Sequence, residues 1–288
     1  TKPGSIYDKL GIKVNISIIN EADKSSTALI KGDLDGAGYT VNRYAFLYPK
    51  FIENKVPVTM PYITNSSTGG DGIVAKKEIQ RVEDLVGKKV AVPRFSEAQT
   101  LVEWLLAKSD LTESQKKQVQ FVMFDSPEDA AKAFFAGQVD AAATWQPFLS
   151  QAAENPGTRI LFSTKSATNI ILDGLVFRKD YLDSHREQVT KLIEGSLMAQ
   201  GLYTKEFVAI KNTMPQFAGE TDESIKGMTE DATLSDQQTN VKLLSGLAQT
   251  LFIDMSNIWK NLGEKTMPQD ANKAFDVSLV QSLSLIHI

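Results

Sequence analysis

Two stretches of the chain carry the same order of apolar and polar positions. The first is Lys13-Val14-Asn15-Ile16-Ser17-Ile18-Ile19, a polar turn, Ser25 to Lys31, then Gly32-Asp33-Leu34-Asp35-Gly36-Ala37. The second is Val119-Gln120-Phe121-Val122-Met123-Phe124, Ser126 to Ala136, then Gly137-Gln138-Val139-Asp140-Ala141-Ala142. Each predicts strand, helix, glycine stop and strand. Ser126-Pro127 supplies an N-cap with proline at the first helical position. Asp129 places a negative charge in the first turn, where the helix dipole favours it. Gly32 and Gly137 stand where a helix ends in a left-handed residue. Each unit therefore reads as βαβ with a right-handed crossover, and two such units predict two related lobes.

Further strands are predicted at Val56–Ile63, Gly72–Ala75, Lys88–Val92, Arg159–Phe162 and Leu172–Phe177. Glu97–Lys108 is predicted as a helix, opened by Ser96 and Gln99 as a capping-box pair. From Tyr181 onward the spacing of apolar residues such as Val189, Leu192 and Ile193 is helical. The expected fold class is α/β, with two lobes of parallel sheets flanked by helices. The chain is expected to leave lobe I near Lys76-Lys77 and return near Asp173-Gly174, through a two-strand hinge. This gives lobe I as 1–77, lobe II as 78–172, and a lobe I return with C-terminal helices as 173–280.

In such an architecture ligands sit at the carboxyl ends of the strands. Tyr39 and Thr40 follow the first repeat strand, and Thr144, Trp145 and Gln146 follow the second. An aromatic ring with short hydroxyl donors suits a small polar ligand. Trp145 is read as facing the cleft; the competing reading makes it core beside Pro147-Phe148. The loop from Asn65 to Gly72 brings Ser66, Ser67 and free amides that would cradle an anion. Pro93-Arg94-Phe95-Ser96-Glu97 opens a helix whose N-terminus attracts anions, with Ser96 as a further donor and Arg94 as a charge partner. Glu97 there opposes an anion. Asp173 either accepts from a ligand amine or fixes the hinge backbone.

Composition narrows the function classes. The chain has 288 residues, 42% hydrophobic and 23% charged, with a net charge of -4. That balance lacks the concentrated basic surface of nucleic-acid binding. There are no cysteines and two histidines, His185 and His287. A metal site, a catalytic triad and a bound cofactor are therefore not expected. No run approaches the roughly 18 apolar residues of a membrane helix. The chain begins at Thr1, which fits the loss of an export signal. The segment 283–288 matches the translation of a common transposon sequencing adapter, so it is set aside as an adapter-derived tail, and His287 with it.

Read in order, Ser67-Thr68-Gly69-Gly70-Asp71-Gly72-Ile73-Val74-Ala75, Asp84-Leu85-Val86-Gly87-Lys88-Lys89-Val90-Ala91-Val92, Ser96, Gly137-Gln138-Val139-Asp140-Ala141-Ala142 and Trp145-Gln146-Pro147-Phe148 carry a resemblance. They resemble the nitrate, sulfonate and taurine-type substrate-binding proteins of ABC importers, a family that includes thiamine-precursor binders. The resemblance covers about Tyr7 to Tyr181. It implies a type II periplasmic-binding fold and capture of a small organic anion or related solute for delivery to a membrane permease. It also implies a periplasmic or membrane-anchored extracellular monomer. Its ligand contacts carry over to Tyr39, Thr40, Ser66, Ser67, Ser96, Trp145 and Asp173. Two departures stand out. Arg94-Phe95-Ser96 replaces the usual Gly-Ser, and the family's first strand and its aromatic ligand loop are missing, as in an incomplete copy. Phe252 to Trp259 is similar to relatives fused to an OmpA-like domain. The alternatives are a sensory domain, or an enzyme related to thiamine-pyrimidine synthases, whose histidine cluster one histidine does not supply.

Overall fold

The computed structural model describes residues 4–19, 21–210, 221–265 and 271–283. In chain order the helices begin with α1 Ile6–Lys9, α2 Ala22–Lys31, α3 Val41–Glu53, α4 Glu97–Lys108, α5 Glu113–Lys116, α6 Pro127–Phe135 and α7 Phe148–Glu154. They continue with α8 Lys179–Ser184, α9 Arg186–Ile210, α10 Asp222–Glu230, α11 Gln237–Lys242 and α12 Ala248–Asn261. The strands are β1 Gly36–Thr40, β2 Val58–Ser67, β3 Asp71–Lys76, β4 Lys89–Pro93, β5 Gln120–Phe124, β6 Ala141–Trp145, β7 Thr158–Ser163, β8 Leu172–Arg178 and β9 Ala232–Leu234. The chain divides into two compact units. Unit 1 is Thr1–Ser66, Leu172–Lys226 and Leu234–Ile288, and unit 2 is Ser67–Ile171 and Gly227–Thr233.

The units correct the expected borders. Unit 2 begins at Ser67, not near Lys76-Lys77, because β3 pairs with β6 and β7. A second passage, Gly227–Thr233, also belongs to unit 2.

The sheet of unit 1 has the order β1-β8-β2-β9. Both β1 and β2 run antiparallel to β8, so the expected parallel arrangement is absent from these pairs. The segment Lys13–Ile19 forms no strand. Ile16 and Ile18 are 82% and 73% exposed. A strand exists only as part of a ladder, and no described strand offers this segment one. Helix α2 and its stop form nonetheless: Gly32 has φ 81°, and its amide donates to Ala28 O and Leu29 O. Behind the sheet, Tyr44, Tyr48, Phe252 and Phe275 pack edge to face or tilted. The Tyr44 hydroxyl donates to Val58 O and Ala274 O, and Trp259 Nε1 donates to Asn42 O. Phe252 and Trp259, which the sequence linked to fused relatives, are thus core residues of α12. Leu283 is buried, and its carbonyl accepts from Gln237 Nε2. Residues 284–288 lie outside the described residues.

Unit 2 has a mixed sheet in the order β5-β4-β6-β3-β7. β5 and β6 both run parallel to β4, which lies between them. The second repeat thus closes as βαβ, with α6 crossing over β4. Ser126 caps α6 by accepting from Asp129 N at 3.1 Å, Pro127 starts it, and Gly137 at φ 74° follows its end. Ala130, Ala131, Ala133 and Phe134 of α6 are buried. β3 and β7 complete the sheet antiparallel.

Candidate functional site

Register decides which side chains gather at one end of each sheet. In unit 2, Asp71 of β3 stands opposite Trp145 of β6, and Gly72 stands opposite both Thr144 and Ser163. The parallel strands β4 and β5 end together at Pro93 and Phe124. This is the carboxyl end of the parallel strands, where ligands of open α/β sheets collect. Ser67, Arg94, Ser96, Thr144 and Trp145 all fall at this end. In unit 1, Thr40 pairs with Asp173 and Asp173 with Asn65, while Tyr39 faces Gly174 and Ser66 faces Leu172. Thr40, Asp173 and Asn65 therefore form one row across β1, β8 and β2, with Tyr39 and Ser66 in the rows on either side of it.

The hydrogen bonds then sort these residues. Tyr39 is buried with its hydroxyl 2.9 Å from Ser25 Oγ, and burial pushes its pKa up to about 12. It fastens α2 to the sheet. Thr144 donates to Pro127 O at 2.9 Å and fastens α6 in the same way. Ser96 is buried. Its single proton goes to Pro93 O at 2.7 Å, and its oxygen accepts from Gln99 N. It caps α4 and has no donor left for a ligand. The capping box is also altered, since Gln99 Oε1 accepts from Phe95 N. Phe95 has φ 54°, a left-handed backbone that glycine adopts without strain. Arg94-Phe95-Ser96 thus makes a glycine-like turn, held by Gln99. Thr40 caps α3 by accepting from Arg43 N.

Two amides of the loop at Thr68–Gly70 are already engaged. Thr68 N and Gly70 N both donate to the carbonyl of Asp231, at 2.8 and 3.2 Å. Two of the amides expected to cradle an anion thus meet the protein's own backbone. Ser67 is buried with its hydroxyl 2.9 Å from that of Thr164.

Three side chains at the end of unit 2's sheet remain turned outward. Trp145 is 42% exposed and so is not core of unit 2. Arg94 is exposed, with its guanidinium 5.9 Å from the ring centre of Phe95. Glu97 occupies the first turn of α4 and is half-buried. Asp71 lies at the same end, partly buried, a residue that sequence reasoning passes over. Burial pushes its carboxyl up to about 7; the Ser67 hydroxyl opposes this and Glu97 adds to it. Asp231 escapes sequence reasoning as well, because no local pattern marks it. Only its position beside a loop far away in the chain gives it meaning. Among the described residues no group of His, Cys, Asp or Glu is arranged to hold a metal ion. No helix among them is long and apolar enough to cross a membrane.

Two sheets, each bearing its polar side chains at one end, define an α/β fold of the two-lobed binding-protein type. A model of the NMT1-like family matches residues 1–213, and the chain belongs to that family. The taurine-binding periplasmic protein of Escherichia coli (strain K12) is 27% identical over 227 residues, covering 76% of this chain and 68% of that protein. The periplasmic aliphatic sulphonate binding protein SsuA of Escherichia coli shares the fold with a TM-score of 0.71 at 17% identity, over 90% of this chain and 85% of its own. The alkanesulfonate-binding protein SsuA of Xanthomonas axonopodis pv. citri, solved bound to MOPS, also gives 0.71, at 19% identity over 92% and 90%. The fold is therefore the type II periplasmic-binding one.

Proposed function

We propose that this chain is an extracytoplasmic solute-binding protein that captures a small organosulfonate or a related anion for an ABC permease. The observation that carries the reading is the relation to the taurine-binding periplasmic protein, which spans most of both chains. The site chemistry supports it. Trp145 offers an exposed ring for an alkyl chain, and Arg94 offers a cation for a charged head group. Glu97 adds negative charge beside them, which favours a ligand that also carries an amine. In unit 1, Thr40 and Asp173 are the candidate contacts, followed by Ser66. Tyr39, Thr144 and Ser96 support the site by holding helices to sheets. The protein is read as a monomer acting at the periplasmic or outer face of a membrane, and no reaction is assigned to it.

The test is calorimetric titration and thermal melting with taurine, longer alkanesulfonates, nitrate and carboxylates. A ligand present at about a hundred times its Kd adds about 2.7 kcal/mol, a shift of several degrees in a chain of this size. Taurine or another sulfonate should give that shift, and Trp145→Ala should remove it. A protein that melts at the same temperature with every compound rules this reading out.

A further inference from the structure

We propose that Asp231 is the positioning residue that sets Trp145 in place for the ligand. The proposal rests on the reading of Trp145 as a ligand contact. Its own basis is a closed ring of three hydrogen bonds within unit 2. Gly70 N donates to Asp231 O at 3.2 Å, Gln146 N donates to Gly70 O at 2.9 Å, and Gln146 Nε2 donates to Asp231 Oδ2 at 2.8 Å. Three segments distant in sequence are thereby locked to one another: the loop before β3, the end of β6, and the Gly227–Thr233 passage.

Gln146 directly follows Trp145, and its remaining side-chain atom is also engaged. Its Oε1 accepts from Ser150 N at 3.2 Å and Ser150 Oγ at 2.9 Å. The peptide after Trp145 is therefore held from both sides, by Asp231 and by the first turn of α7. Trp145 itself is held in the β6–β3 ladder opposite Asp71 but leaves its ring exposed. A partly exposed ring depends for its orientation on the backbone beneath it. Asp231 is the member that closes the ring through a side chain. It is 6% exposed, and its other carboxylate oxygen lies 3.2 Å from Lys165 Nζ, on a lysine side chain that is 67% exposed. Gly69 shows how closely the carboxylate is surrounded. A Cβ there would collide with Asp231 Oδ1 and approach Lys165 Cε to 2.6 Å. Thr68 N and the Thr233 hydroxyl, 3.1 Å from that of Thr68, add further stitches on the same side.

The experiment labels the whole chain with 5-fluorotryptophan and reads fluorine NMR. Trp104, Trp145 and Trp259 are the three tryptophans, and Trp145→Phe identifies the resonance of interest. Without any ligand, Asp231→Ala should shift or broaden the Trp145 signal while the buried Trp259 signal stays put. Asp231→Asn keeps an oxygen for Gln146 and should restore the position. Lys165→Ala removes only the ion pair and should leave Trp145 where it was. If Asp231→Ala does not fold, Gly69→Ala displaces the carboxylate with the residue still present and should give the same shift. A Trp145 signal unmoved in a folded Asp231→Ala protein overturns the proposal.

Taurine is the affinity probe. Its Kd should rise about ten-fold in Asp231→Ala and recover in Asp231→Asn. A moved Trp145 with unchanged taurine affinity overturns the ligand side of the proposal. If the unmutated protein binds no taurine or other sulfonate, the functional reading fails, while the fluorine shift still decides whether Asp231 sets Trp145.

Discussion

The two repeats begin from one pattern and end differently. In the second, β5, α6 and β6 close around β4 as a complete βαβ unit. In the first, α2, its glycine stop and β1 form, but Lys13–Ile19 stays outside any ladder with Ile16 and Ile18 in water. The helices repeat because their signals are local: a cap or acidic first turn, an apolar face and a left-handed stop. The strands do not repeat because a strand needs a neighbour, and only the second repeat has one in β4. The strand ends differ as well. Tyr39 turns its hydroxyl back onto α2, whereas Trp145 presents its ring outward.

The largest expected effects test what the repeats share. Leu29 and Phe134 each precede their glycine stop by the same spacing and are both buried. Leu29→Ala and Phe134→Ala should each cost about 3 kcal/mol in urea unfolding, as cavities in packed cores do. A cost near zero at Leu29 would mean that α2 packs only through its flanks.

The next effect concerns Asp71, at the end of the sheet holding the complete repeat. Its folded pKa of about 7 lies above the ordinary aspartate value of 3.8. A raised carboxyl stabilises the fold relative to an ionised one at low pH, and that advantage is lost as pH rises from about 4 through 7. Asp71→Asn should therefore be more stable than the parent at pH 8, by about 2 kcal/mol after allowance for relaxation, and the gap should close toward pH 4. Parallel pH profiles for the two proteins would refute the shift.

Phe121 and Ile16 stand at matching places in the two repeats. Phe121 of β5 packs on the core of unit 2, whereas Ile16 is exposed. Phe121→Ala should cost about 2 kcal/mol and Ile16→Ala less than about 0.5. Equal costs in chemical denaturation would show that the first strand is packed after all. The glycine stops carry a modest effect. Gly32→Ala and Gly137→Ala should each cost about 1 kcal/mol, because both backbones are left-handed. Gly32 should be the worse, since a Cβ there lies 3.2 Å from Arg178 Nη1 while Gly137 has open space. A melting series that reverses this order would argue against the approach of Arg178 to Gly32.

Much of the candidate site was legible as position and less of it as chemistry. The strand ends at Tyr39-Thr40 and Thr144-Trp145 follow from the repeat, and register sets Thr40 opposite Asp173 in one unit and Trp145 opposite Asp71 in the other. Their roles depended on partners far along the chain or hidden in its turns. Ser96 donates its proton to Pro93 O and Thr144 to Pro127 O, and the amides after Ser67 donate to Asp231 O. A hydroxyl looks equally available in every sequence context, so only the fold reveals whether its proton is already engaged.

By itself the sequence determined where helices start and stop, since caps, prolines and left-handed glycines act within a few residues. It also determined that aromatic and hydroxyl groups follow two equivalent strands. The tertiary structure alone decided that β3 belongs to unit 2, that Lys13–Ile19 finds no ladder, and that Asp231 reaches Gln146. Strand pairing and buried hydrogen bonds join residues distant in sequence, and their free energy depends on a geometry that no local pattern encodes.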